Sequence, residues 1–197
     1  MFHRHGIYYN VCTGQFKVDR SLHAATFEFE EDNGAATGSP AHGTTTTGAR
    51  TECNWKNIDD STTAYSSSPI TAGNNSYTKY QYGHFSGTYN QISAGLWAHT
   101  AGAFGTGLTL KGIVTSTYAT PTTTANASLT VDMTSAIAIG SGQTVLFNTA
   151  PSASAPTSSI TSNPAYTQYL ASQLQTTTSA AAGDTTSVTL TLQYNEN

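Results

Sequence analysis

The stretch TTSVTLTLQYN places Val188, Leu190, Leu192 and Tyr194 at every second position, with Thr189, Thr191 and Gln193 between them. Successive side chains of a strand point to opposite faces, so this spacing gives one apolar and one hydroxyl-rich face, which helical periodicity does not. A face of that kind has to be covered by another layer. The same alternation recurs in SLTVDM, through Leu129, Val131 and Met133, and in ATFEFE, where Ala25, Phe27 and Phe29 oppose Glu28 and Glu30. Leu108 and Leu110 begin another strand, and Gly112 follows where a bulge would shift the alternation to Ile113 or Val114. IYYNV (7–11), TECNWKNI (51–58), YTKYQYGHF (77–85), TYNQI (88–92) and TVLF (144–147) complete the expected strands.

Segments rich in Gly, Pro, Asn and Ser separate them at 31–48, 66–75, 119–126 and 149–164. Many short strands with this punctuation predict an all-β antiparallel β-sandwich, Ig-like or jelly-roll-like, rather than an α/β fold. One stretch, PAYTQYLASQLQTTT (164–178), fits helical spacing through Tyr166, Tyr169, Leu170 and Leu174, but its threonine run favours a strand. A hairpin through SAAAGD (179–184) would then pair it with the last strand, Gly183 and Asp184 suiting the turn. The glycine- and threonine-rich residues 1–49 are expected to form an extended N-terminal arm, and residues 50–197 the sandwich domain. An arm of that composition does not offset its own ordering entropy of ~1–2 kcal/mol per residue without partners, so Ile7, Tyr8, Phe27 and Phe29 are expected to seat on a neighbouring chain.

Charge narrows the function classes. Charged residues make up 9% of the 197, against a usual ~25%, while threonine is the commonest residue and aromatics reach 10%. The seven Lys and Arg are scattered singly and the net charge is −4, so the basic stripe that draws nucleic acid is missing. No apolar run approaches the ~20 residues of a membrane span, and the polar N-terminal segment does not resemble a secretory leader. A soluble chain with neither nucleic acid nor membrane as partner is expected.

Each group with chemical potential has a plainer reading beside it. Gly102, Gly105 and Gly107 lead into the strand LTLKGIV rather than a helix, so they match neither phosphate-loop nor dinucleotide spacing. His99, two residues after Trp97, has no carboxylate near it in sequence between Asp60 and Asp132, and a hydrogen-bonded packing role is favoured over general-base work. A hydrolase would need His99 or His84 beside both an acid and a nucleophile. His3, His5 and Cys12 carry ligand chemistry, but a structural zinc site would have to be completed by Cys53 and by His23 or His42. Glu30, Glu31 and Asp32 precede Asn33-Gly34 without the alternating acids of a calcium loop, so they read as solvated turn charge, with a weak interfacial cation the lesser alternative. No catalytic residue, metal or cofactor is therefore expected. Tyr77, Tyr80, Tyr82, Tyr89 and Trp97 suit either a glycan-stacking shelf or a core and interface cluster.

The stretches TECNWKNIDD, SYTKYQYGHFSGTYNQI and AYTQYLASQLQ, with the final AAAGDTTSVTLTLQYNEN, resemble small virion structural proteins of tailed bacteriophages, of the capsid decoration (cement) or minor tail type. The resemblance spans most of residues 50–197 and rests on style rather than on a chemical motif. It implies a non-enzymatic β-sandwich on the capsid surface, partnered by other copies of itself and by a major capsid protein. A tail-fibre or adhesin-like module binding glycans through the tyrosines is the alternative.

Overall fold

A computed structural model describes residues 4–11 by their backbone, and residues 25–46, 54–181 and 187–197. The described residues form β1 (Arg4–Val11), β2 (Ala25–Thr37), β3 (His42–Thr46), β4 (Lys79–Gly87), β5 (Ile92–Ala101), β6 (Leu108–Thr115) and β7 (Val131–Asp132). They continue with β8 (Gln143–Val145), β9 (Phe147–Asn148), β10 (Ser159–Ile160), β11 (Ala165–Thr167), β12 (Tyr169–Thr176) and β13 (Thr189–Glu196). Sheet A runs β1-β13-β5-β10 with β8 also on β5, and sheet B runs β3-β2-β4-β12-β6-β7, with β11 joining β4 to β9. Every pairing between these strands is antiparallel. The two sheets pack as a sandwich, the expected fold class. No described helix is long and apolar enough to cross a membrane.

Alternation explains the core. Leu190, Leu192 and Tyr194 of β13 are buried with Val188, and Leu192 lies opposite Trp97 of β5, so both present the same face to sheet B. Sheet B answers with Phe29, Phe85, Leu110 and Leu170. Aromatic edges close the gap: Phe85 meets Tyr194 at 4.6 Å and 77°, and Phe29 meets Trp97 at 5.3 Å. Gly83 leaves room for the core side chains, since a Cβ there would lie 2.8 Å from Phe27 Cε2 and 2.9 Å from Leu192 Cδ2 of the facing sheet.

A second apolar cluster lies on the opposite face of sheet B. Tyr80, Tyr82, Tyr169 and Ala171 project there and are covered by Tyr118 and Leu129 from the connection between β6 and β7. Gln173 fastens that connection, its Nε2 donating to the carbonyls of Thr122 and Thr124 at 3.3 and 3.0 Å, while its Oε1 accepts from the amide of Asn126 at 3.1 Å.

Several expectations are corrected. Residues 25–46 are not part of an arm: β2 lies between β3 and β4, because its phenylalanines match the apolar face of β4. Phe27 and Phe29 pack on each other, on Phe85 and on Trp97 inside their own chain rather than on a neighbour. Ile7 and Tyr8 lie in β1, which pairs with β13 along eight residues. Residues 164–178 are extended, as β11 and β12, but β12 pairs with β4 and β6 while β13 belongs to the other sheet. Residues 182–186, at the expected hairpin, lie outside the described residues. β6 and β12 pair in unbroken register, so Gly112 marks no bulge; it makes room for the Met133 sulfur. Residues 54–58 and 88–91 are not strand.

Thr191, expected to face solvent, is only 1% exposed. It lies opposite Ala98, and its Oγ1 is 2.6 Å from that of Thr100. Leu190→Ala is expected to cost about 2–5 kcal/mol, the range for emptying a buried leucine site. Thr191→Ala is expected to cost about 1–2 kcal/mol through the lost buried hydrogen bond. Urea unfolding midpoints of the two variants check the ranking.

Candidate functional site

The densest set of ionisable groups among the described residues is on β2. Alternation sends Phe27, Phe29, Glu31 and Asn33 toward sheet A, and Glu28, Glu30 and Asp32 to the other face. Glu30, Glu31 and Asp32 are all buried, which corrects the reading of solvated turn charge. The segment that looks like a turn in sequence is the middle of a thirteen-residue strand. Its acids are ordered by partners that strand pairing brings from about fifty residues away.

On the inner face, Glu31 accepts from Lys79 Nζ at 2.7 Å, Gln81 Nε2 at 3.1 Å and Asn33 Nδ2 at 2.9 Å. Lys79 and Glu31 are 2% and 1% exposed, so this is a buried ion pair whose carboxylate has two further donors. Asp59 extends the network, accepting from Asn33 Nδ2 at 3.0 Å and from the Gly34 amide at 2.6 Å. Lys56, buried nearby, pairs with Asp60 at 2.9 Å. Burial alone would raise the Asp60 carboxyl, but bonds from Thr63, Lys56 and the amides of Thr63 and Thr62 outweigh it and hold the group well below the usual range.

On the other face, Asp32 accepts from Tyr169 Oη at 2.6 Å, Thr45 Oγ1 at 2.8 Å and Tyr82 Oη at 3.3 Å. Burial pushes the phenols of Tyr82 and Tyr169 up, and the Asp32 carboxylate adds to both shifts. Burial likewise raises Tyr118, reinforced by Asp59. Two positions away, Glu30 lies 2.9 Å from His84 Nδ1. Exposed Glu28 is directly opposite His84 in the β2–β4 register, and the Tyr166 ring stacks on the imidazole at 4.6 Å and 15°.

The remaining sequence candidates fall elsewhere. Tyr80, Tyr82 and Trp97 are buried and Tyr77 is half-buried, so they do not form the exposed shelf a glycan would need. The connection over sheet B covers the first two, and the inter-sheet core encloses Trp97. His99 is buried with Nδ1 2.9 Å from the Met133 carbonyl and Nε2 2.8 Å from that of Ala101, the hydrogen-bonded packing role. It borders a cavity of about 60 Å³ lined also by Trp97, Asp132, Met133 and Gln143. A space of that size holds a few waters rather than a substrate. The zinc-type set of His3, Cys12, His23 and Cys53 lies outside the described residues, and His5 is described by backbone alone. Glu28, Glu30 and His84 were not grouped in advance, because only strand register joins them; the i, i+2 spacing of the two glutamates was the one local signal.

Compared with protein-family models, curated proteins and solved structures, the chain matches none.

The network predicts two responses. Lys79→Met leaves the Glu31 charge buried without its counter-ion and is expected to cost about 3–5 kcal/mol, whereas the double variant Lys79→Met with Glu31→Leu is expected to recover much of that loss. Denaturant titration of the single and double variants checks this. The raised tyrosines act at the other end of the pH scale. A phenol whose folded value lies above its ordinary 10.0 contributes stability that is fully present below that pH and is lost as pH rises beyond it. Tyrosinate absorbance of this group is therefore expected to appear together with cooperative unfolding above pH 10, followed in parallel by circular dichroism.

Proposed function

We propose that the chain is a non-enzymatic structural protein of a virion, a capsid decoration or cement subunit that stabilises the particle by binding other copies of itself and a major capsid protein. The resemblance of residues 50–197 to such proteins supplies the class. The observation that carries the reading is β1, an eight-residue strand at the margin of sheet A, paired on one side in continuous register with β13. Among the described residues its other side has no strand partner. A long strand edge is a ready template for pairing with a further chain, the geometry by which β-proteins add strands between subunits.

The surface is consistent with that role. Charge is sparse, and the three described lysines are committed to ion pairs with Asp60, Glu31 and Asp132, so little charge has to be desolvated on docking. Exposed Ile58, Tyr65, Val131 and Ile137 offer apolar anchors on loops and at the β7 margin. The glycan-binding alternative loses its platform with the burial of Tyr80, Tyr82 and Trp97.

Adjacent strand residues direct their amides to opposite sides, so of Tyr8→Pro and Tyr9→Pro one removes an outward N–H and the other breaks a bond to β13. The outward variant is expected to keep the parental unfolding midpoint while losing self-association in sedimentation velocity and binding to capsids in co-sedimentation. A parental chain that sediments as a monomer throughout and does not bind capsids would overturn the proposal.

A further inference from the structure

We propose that Glu28, Glu30 and His84 bind one divalent transition-metal ion of the zinc class. The three side chains each offer a ligand atom, and these atoms lie within 4.8 Å of one another. Zinc bonds to oxygen and nitrogen of ~2.1 Å bring tetrahedral ligands to about 3.4 Å apart, so side-chain rotation alone closes the set. Glu30 and His84 Nδ1 are already at 2.9 Å, and the ion would replace the proton between them.

Three features of the fold prepare the site. Register puts Glu28 directly across from His84, with Glu30 on the adjoining diagonal of the same sheet face. Tyr166, opposite His84 on the other side through the β11–β4 pairing, stacks on the ring and fixes its plane, the kind of outer support that orients metal-bound imidazoles. Burial is graded: Glu30 is 4% exposed, His84 is half-buried and Glu28 is exposed, so the set has a firm base and an open mouth for entry and for a water ligand.

Charge gives an independent reason for a cation. Glu28, Glu30 and Asp32 stand in one row on this face, and Lys56, Lys79 and Lys111, the described lysines, are bonded to Asp60, Glu31 and Asp132 instead. An imidazole with two carboxylates suits zinc and its neighbours, whereas calcium and magnesium prefer oxygen ligands throughout.

The test uses the full chain, stripped with chelator and titrated calorimetrically with zinc chloride, alongside Glu28→Gln and His84→Ala. The expected result is one zinc per chain, an affinity at least about tenfold weaker in each variant, and a zinc-dependent rise in thermal midpoint that His84→Ala abolishes. Circular dichroism confirms that the variants fold, and Glu28→Gln, at an exposed position, is the safeguard should His84→Ala unfold. Cobalt substitution supplies the coordination readout, as visible bands that the variants lose. No stoichiometric uptake, uptake unchanged in Glu28→Gln, or stabilisation by calcium in preference to zinc would each overturn the proposal.

Discussion

The organisation of the sandwich depends on how a charged strand is taken out of water. β2 carries Glu30, Glu31 and Asp32 in succession, and all three are buried. A carboxylate moved into a protein interior costs several kcal/mol unless opposite charge and hydrogen-bond donors meet it there. Glu31 therefore ties β2 to β4 through Lys79 and Gln81, and Asp32 ties β2 to β3 and β12 through Thr45 and Tyr169. Apolar packing and this polar seam fix the same register, since Phe27 and Phe29 share the inner face with Glu31. A one-residue shift of β2 would exchange the inner and outer acids and separate each from its donors.

The same seam gives sheet B two different faces. Toward sheet A it is aromatic, with Phe27, Phe29 and Phe85 beneath Tyr194 and Trp97, and it ends in the Glu31–Lys79 network. On the other side the phenols of Tyr82 and Tyr169 are both apolar filling and donors to Asp32, and the connection carrying Tyr118 and Leu129 closes over them. That connection is polar and turn-like in composition, yet Gln173 bonds and the Tyr118 hydroxyl, which donates to the Gly34 carbonyl at 2.8 Å, fasten it to the sheet. Tyrosine abundance thus has a structural use here, because a ring with a hydroxyl at its tip can serve a buried acid and a hydrophobic layer together.

What was legible beforehand was local. The period-two run from Val188 to Tyr194 identified both the strand and its buried face, and the extended character of residues 164–178 was legible despite their helical spacing. Partners were less legible. Gly183 and Asp184 suggest a hairpin, but whether two successive strands pair or part to separate sheets is decided by which exposed faces each must cover, and turn composition carries no record of that. Glu30 to Gly34 has turn composition as well, and its true setting depends on Lys79, Gln81 and His84, whose positions relative to β2 appear only once the register is known. Thr191 shows the complementary limit: alternation assigned its side of the strand, not whether that side would be covered.

The separation of β12 from β13 has a consequence for how the chain is made. β13 occupies the middle of sheet A, between β1 and β5, although it is synthesised after every other strand of that sheet. Until it emerges from the ribosome, β5 has no partner on that flank, and Trp97, Phe29 and Phe85 lack the Leu192 and Tyr194 side chains that seal them. Sheet B closes only when β12 enters between β4 and β6, sheet A has to wait longer still for β13, and the unfinished layer exposes an aromatic surface with open edges. β13 enters between partners 88 or more residues earlier in the chain (Thr189 against Ala101), so closure of the sandwich is a non-local, late event, and the nascent protein is most vulnerable to aggregation just before it occurs.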